Sequence, residues 1–149
     1  MKAKDLMSQP AITIGEHSSL EEAARTMLDN GIGCLPVIDE GGTIVGVITE
    51  SSFSAKSKGF PFSTYRAPQV LGKWLSQDGI QKIFDAARDM PVGEFMAAPP
   101  ITIDEEDTVD RAVKLMLDHD INRVPVIRDN KPVGMIARHD LLRLMAKRV

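Results

Sequence analysis

The chain carries one segment twice. The stretch LPVIDEGGTIVGVITESSF, from Leu35 to Phe53, returns as VPVIRDNKPVGMIARHDL, from Val124 to Leu141. Upstream the copies align at a shift of 89 residues, which becomes 88 because the second turn is one residue shorter. The positions that agree are mostly apolar residues, glycine and proline, which a shared fold constrains. The repeat therefore predicts two copies of one structural unit that pack on each other.

Each copy predicts the element order β-α-β-β-α. In copy one the helix is expected to begin after Ser19, an N-cap residue that Glu22 follows three positions later, and Gly31 suits its end. Two strands around a tight turn come next, and a helical segment closes the copy. Since neither copy holds enough apolar surface for a robust core, we expect an α/β (α+β) fold in which the copies pack about a pseudo-twofold axis.

The copies leave a third segment between them. We assign residues 1–53 to repeat one, 92–149 to repeat two and 54–91 to an insert. The insert is predicted to be a loop followed by two short helices. It contains five of the seven aromatic residues of the chain, namely Phe60, Phe62, Tyr65, Trp74 and Phe84. These rings either pack on the core of the pair or form a dimer or partner surface.

Composition narrows the function further. The hydrophobic fraction of 43% and charged fraction of 26% are typical of a soluble globular protein, and a net charge of −3 gives no basic footprint for nucleic acid. No apolar run is long enough for a membrane span, and the first ten residues lack the apolar core of a signal peptide. We therefore expect a cytoplasmic protein. Its single cysteine, Cys34, is predicted to be a small buried residue, with a reactive thiol as the alternative.

Nothing in the sequence assembles a catalytic centre. The three histidines, His17, His119 and His139, are scattered and do not form a metal-ligand motif. Nucleophile-elbow, P-loop and dinucleotide-binding motifs are absent from the sequence. The acidic run Asp104–Asp110 is expected to precede and cap a helix, with a cation site as the alternative. We therefore predict no enzyme, no catalytic residues, no metal and no required cofactor.

The paired motifs resemble a tandem cystathionine β-synthase (CBS) domain pair, also called a Bateman module. The resemblance rests on the P-x-I-T-I openings, the (L/V)-P-V-I strands and the closing V-G-(V/M)-I-x-x-x-(S/D), each present twice and in register. It implies clefts between the repeats that bind an adenosine compound: AMP, ADP, ATP or S-adenosylmethionine. It also implies a homodimer that regulates a protein partner rather than catalysing a reaction.

The family's binding motif, roughly Gly-x-x-Thr-x-x-(Asp/Asn), is split between the copies. Copy one keeps Gly46 and Thr49 but ends in Ser52, whereas copy two ends in Asp140 but has alanine in place of threonine. The resemblance implies that Thr49 bonds phosphate and that Asp140 accepts hydrogen bonds from the ribose hydroxyls. The alternatives are that Asp140 and Ser52 only cap helices and that Thr49 is only a strand residue. The glycine lets either a ligand or a neighbouring backbone approach closely.

Basic residues decide the ranking of the two clefts. Arg138 and His139 stand beside Asp140 and would supply charge for a phosphate, so we rank the Asp140 cleft first. In related pairs a basic residue at the position of Arg123 often reaches phosphate in the cleft of the other repeat, so Arg123 is expected to serve Thr49. The alternative for all three is a solvated surface residue.

The remaining predicted contacts flank the expected adenine pockets. Apolar side chains that could sandwich a purine are Ile14, Ile48, Ile103 and Ile136. Thr13 and Thr102, placed in the first strands, either bond the ligand or serve as strand formers. Because both motifs are incomplete, a second function stays open: a pair that binds no ligand and acts as a dimeric interaction scaffold.

Overall fold

The computed structural model describes residues 1–54, 85 and 87–146. A short helix α1 (Ala3–Leu6) precedes the first repeat. The elements of repeat one are β1 (Ile14–Gly15), α2 (Leu20–Asn30), β2 (Cys34–Ile38), β3 (Ile44–Thr49) and a 3-10 helix (Glu50–Ser54). A second 3-10 helix (Val92–Glu94) leads into repeat two. Its elements are β4 (Ile103–Asp104), α3 (Val109–His119), β5 (Arg123–Arg128), β6 (Lys131–Ala137) and α4 (Arg138–Ala146).

Each repeat builds a three-stranded sheet, and the two sheets have the same topology. The strand orders are β1-β2-β3 and β4-β5-β6, with the first pair parallel and the second antiparallel. The predicted β-α-β-β order is confirmed in both repeats, and the closing α-helix is confirmed in repeat two. In repeat one the described residues after β3 form a 3-10 helix. The helices predicted for the insert fall on residues 55–84 and 86, outside the described part of the chain, as do residues 147–149 of the closing helix.

The ends of α2 follow from local chemistry. The Ser19 hydroxyl accepts a hydrogen bond of 3.1 Å from the backbone N–H of Glu22, so the predicted N-cap is confirmed. Gly31 ends the helix in the left-handed conformation (φ +61°), as predicted. In repeat two Thr108 caps α3, and Asp120 takes the left-handed position at φ +50°. The acidic run before α3 therefore forms the turn and cap that the sequence predicts.

The segments that lead into the repeats are exchanged. Helix α1 packs Ala3 and Leu6 into the core of repeat two, whereas Val92 and Phe95 pack into the core of repeat one. Main-chain hydrogen bonds hold each leading segment against the sheet of the other repeat, and we call these two contacts the crossings. Ser8 exchanges hydrogen bonds of 2.9 and 3.0 Å with Met135 in β6, and the equivalent pair, Ala97 with Val47 in β3, has bonds of 2.8 and 3.0 Å.

The motif glycines make these crossings possible. A Cβ atom on Gly46 would lie 2.8 Å from Cγ of Met96 and 2.9 Å from the carbonyl oxygen of Ala97. At the equivalent Gly134 it would lie 2.8 Å from both Cγ of Met7 and the carbonyl oxygen of Ser8. Of the two predicted reasons for these glycines, the structure therefore shows close approach of a neighbouring backbone.

Candidate ligand-binding cleft

A cavity of about 450 Å³ opens between the repeats. Repeat one contributes the start and end of its hairpin, and repeat two contributes the segment before β4, the turn after α3 and the start of β5. The lining residues are Gly33, Cys34, Val47, Thr49, Glu50, Ser51, Ala97, Pro99, Pro100, Ile101, Asp120, Ile121, Asn122, Arg123 and Pro125. Its volume is in the range of small-molecule sites.

Thr49 and Arg123 both line this cavity. Thr49 is the last residue of β3, opposite Cys34 in the antiparallel register, and Arg123 is the first residue of β5. The two residues belong to different repeats, so the cavity exists only when the pair is assembled. The predicted association of Arg123 with the Thr49 cleft agrees with this placement.

The hydroxyls after β3 are bonded to each other. Ser52 is buried, and its hydroxyl accepts a hydrogen bond of 3.0 Å from the backbone N–H of Thr49. The Thr49 and Ser51 hydroxyl oxygens lie 2.7 Å apart and form a hydrogen bond in which either can be the donor. Thr49 and Ser51 line the cavity, whereas Ser52 stands behind them and fixes the turn. Ser52 is therefore a structural residue of the site rather than a lining one.

Asp140 does in repeat two what Ser52 does in repeat one. It is only 4% exposed, and its Oδ2 accepts a hydrogen bond of 2.8 Å from the backbone N–H of Ala137. Its Oδ1 lies 3.6 Å from Nη1 of Arg143. Because α4 begins at Arg138, Asp140 is the third helical residue and reaches back to the capping position. Asp140 and Ser52 therefore bond the backbone at a helix start, as the capping alternative expects, but from the third helical position rather than from the N-cap position.

The residues that were ranked first lie outside this cavity. Asp140, Arg138 and His139 do not line it. Arg138 and His139 are exposed on the first turn of α4, and Asp140 is buried beneath that turn. The cavity thus lies at the cleft that was ranked second, and the ranking of the Asp140 cleft for ligand binding stays a prediction.

The isoleucines predicted to hold a purine belong to the two cores. Ile103 and Ile136 are 1% and 0% exposed in repeat two, and Ile14 and Ile48 are 7% and 0% exposed in repeat one. They offer no surface to a ligand, because strand alternation turns them away from the cleft. Thr13 and Thr102 are half-buried and precede β1 and β4 by one residue, so they are not in the strands as predicted.

Several lining residues escaped the sequence reasoning. Glu50 directly follows Thr49, and Asp120 and Asn122 form the turn that carries the chain from α3 into Arg123. All three adjoin residues that the sequence had singled out. Their neighbourhood was the available signal, but the repeat concealed it, because the equivalent residues in the other copy differ in type: Arg138 for Glu50, Gly31 for Asp120 and Gly33 for Asn122.

Cys34 has the environment of a buried structural thiol. It is 4% exposed at the back of the cavity, which confirms the burial expected from sequence. Burial raises the pKa of the Cys34 thiol to about 11, although the nearby Arg123 guanidinium opposes this shift. The thiol is therefore protonated at neutral pH and a poor nucleophile.

Residues 1–54, 85 and 87–146 contain neither a candidate membrane span nor a candidate metal site. Within them, no helix is long and apolar enough to cross a bilayer. Histidine, cysteine, aspartate and glutamate side chains do not gather there in groups of three or more that would suit a metal ion.

Known proteins are similar to this chain over both repeats. The sequence profile of the CBS domain matches residues 3–57 and again residues 92–147. The protein MJ1404 of Methanocaldococcus jannaschii, of uncharacterised function, is 30% identical over 145 residues, which cover 97% of this chain. The chain spans 32% of that relative's length and 55% of that of a second curated relative.

Two solved structures have the same fold. The CBS domain of a CBS domain containing membrane protein from Sphaerobacter thermophilus is 35% identical, with a TM-score of 0.77, and the match covers 97% of this chain and 87% of that one. The CBS domain pair of protein MJ0100, solved in complex with 5′-methylthioadenosine and S-adenosyl-L-methionine, is 28% identical, with a TM-score of 0.69 over 98% and 96% of the two chains. On this evidence the chain is a tandem pair that belongs to the CBS domain family.

Proposed function

We propose that this protein is a regulatory CBS pair that binds an adenosine compound in the cavity between its repeats. The observation that carries the proposal is that Thr49 and Arg123, which belong to different repeats, line one cavity of about 450 Å³. The hydroxyl and the guanidinium offer hydrogen bonds to a polar substituent of the ligand. Flat apolar surface for a base comes from the Pro99–Ile101 segment.

The relative MJ0100 supports the class of ligand. Its CBS pair was solved with two adenosine compounds, and this chain aligns with nearly all of it at 28% identity. A ligand held between the repeats would favour the conformation in which the cavity is formed, and would thereby pass a signal to a partner protein. No catalytic role is part of this proposal, and no cofactor is required for it.

Blocking one cleft at a time tests the proposal. Ala97 lines the cavity and pairs with β3 through two main-chain hydrogen bonds. Ser8 is its counterpart in the other half of the pair, where it pairs with β6 in the same way. In calorimetric titrations with 5′-methylthioadenosine, S-adenosylmethionine, AMP, ADP and ATP, Ala97→Trp is expected to abolish binding and Ser8→Trp to preserve it. The opposite result would place the site in the Asp140 cleft. Absence of binding by the wild-type protein would reject the proposal.

A second proposed function is a dimeric interaction scaffold that binds no ligand. Both this function and the proposed homodimer require a contact surface, which α2 and α3 provide. Leu28 on α2 and Leu117 on α3 occupy equivalent positions and are 81% and 72% exposed. Exposed leucines at matching positions favour association with a second copy. Light scattering of Leu28→Lys/Leu117→Lys tests this, because the double variant should be monomeric. A dimer without affinity for any of the five compounds would favour the scaffold function. For either function we propose a cytoplasmic location.

A further inference from the structure

The charges around the cavity do not suit a polyphosphate. Two carboxylates, Glu50 and Asp120, line it, and Arg123 is the only basic residue among its described lining residues. A nucleoside triphosphate brings up to four negative charges to such a site, and one guanidinium cannot offset them together with two carboxylates. Like charges brought together in this way oppose binding.

Glu50 is held over the cavity by the local backbone. Its N–H donates a hydrogen bond of 3.1 Å to the carbonyl oxygen of Gly33, which also lines the cavity. Its carboxylate packs directly over the Cα atom of Gly33, because a Cβ atom there would collide with that carboxylate and would lie 2.6 Å from Cδ of Glu50. The missing side chain of Gly33 therefore makes the space in which the carboxylate rests.

The second repeat carries the opposite charge at the same place. Arg138 is the residue equivalent to Glu50 at the shift of 88 residues, and Asn122 is equivalent to Gly33 at the shift of 89. The pair Gly33 and Glu50 is thus a specific property of repeat one. A basic residue fits this backbone position, since Arg138 occupies it in the same fold.

We infer that Glu50 is a specificity residue that makes the cavity favour adenosine compounds with an uncharged or cationic 5′ substituent over 5′-phosphates. The inference rests on the proposed function, since it concerns the same cavity. A thioether at the 5′ position carries no charge, and a sulfonium is attracted by the Glu50 carboxylate. Each added phosphate increases the repulsion from Glu50 and Asp120, so ATP is excluded most strongly.

Titration calorimetry on the full chain tests the inference with four probes. We expect 5′-methylthioadenosine and S-adenosylmethionine to bind more tightly than AMP, and AMP more tightly than ATP. Glu50→Gln removes the charge at constant shape and should tighten AMP binding about five- to tenfold, a modest factor because Glu50 is solvent-exposed. Glu50→Arg, which copies repeat two, should tighten it further. Affinity for 5′-methylthioadenosine should stay within about twofold in Glu50→Gln, since that ligand is uncharged.

The control is Glu22→Gln, the same chemical change on the exposed face of α2, which should alter none of the four affinities. Raising the ionic strength should narrow the difference between AMP and 5′-methylthioadenosine in the wild-type protein. Equal or tighter binding of ATP than of 5′-methylthioadenosine would overturn the inference and leave the proposed function standing. So would an AMP affinity that Glu50→Gln does not move. Failure of all four probes to bind would overturn both.

Discussion

Replacing Asp140 with alanine is expected to destabilise the protein by about 2–3 kcal/mol. The carboxylate is 4% exposed and accepts a hydrogen bond of 2.8 Å from the Ala137 N–H, which the variant would leave without this acceptor. A hydrogen bond to a charged group contributes roughly 1.5–3 kcal/mol. The ion pair with Arg143 adds no more than about 0.5 kcal/mol, because its atoms lie 3.6 Å apart and the arginine side chain is 56% exposed.

Urea denaturation followed by circular dichroism measures the effect, and the melting temperature should fall by about 5–10 °C. Asp140→Asn is the matched control. Its carboxamide oxygen can still accept the bond from Ala137, so it should lose only about 1 kcal/mol, mainly the interaction of the charge with the start of α4. If Asp140→Ala and Asp140→Asn both stay within about 0.5 kcal/mol of the wild type, the buried bond does not have the role argued here.

The same variants separate structure from ligand binding. Asp140 does not line the cavity, so Asp140→Asn should bind 5′-methylthioadenosine as the wild-type protein does. A large loss of affinity in this variant, at nearly unchanged stability, would show that the carboxylate holds the ribose after all.

Two further predictions concern the core of the pair. Gly134→Ala should lower the free energy of unfolding, measured by urea denaturation, by about 1–3 kcal/mol, because its Cβ would lie 2.8 Å from the Ser8 carbonyl oxygen. The control Gly41→Ala should be nearly neutral, since its Cβ would meet only Asp39 at 3.4 Å. Equal losses in the two variants would contradict the close approach of the Ser8 backbone to Gly134. Between pH 9 and pH 11 the free energy of unfolding of the wild-type protein should fall by up to about 2–3 kcal/mol more than that of Cys34→Ala. The reason is that the thiol has a pKa near 9.0 in the unfolded state and about 11 in the folded state, so it ionises first in the unfolded chain. Parallel pH profiles for the two proteins would show that the thiol titrates alike in both states.

The sequence predicted the parts of the fold that depend on local pattern. The Ser19 cap and the Gly31 stop of α2 each depend on residues within a few positions, and both are confirmed. The apolar residues that recur at helical spacing and were expected in the core are confirmed only in part: Leu20, Ala23 and Met27 are buried, whereas Leu28 and its counterpart Leu117 are exposed. The hairpins followed from the glycine and polar turns between apolar runs. In repeat two the turn uses Asp129 and Asn130, both at positive φ, in place of the glycines of repeat one.

The parts that failed depend on contacts between distant segments. Leu6 packs against residues about a hundred positions away, and no local pattern announces that a four-residue helix belongs to repeat two. Ile103 and Ile136 were assigned to the cleft because period-two alternation gives two faces but does not say which one is buried. Asp140 was misplaced by a single helical turn, since sequence fixes helix ends only to within a few residues.

The exchange of the leading segments bears on how such a chain arises. Two separate copies of a single repeat, each lending its opening segment to the other, would make an intertwined homodimer with the same contacts. Joining the end of one copy to the start of the other would turn that dimer into a single chain with the same core contacts in both repeats. An isolated repeat cut at residue 53 or 92 would therefore carry the wrong leader: its own core would lack Val92 and Phe95, or Ala3 and Leu6. Mixed in trans, the two fragments should restore each other, because each holds the piece that the other lacks.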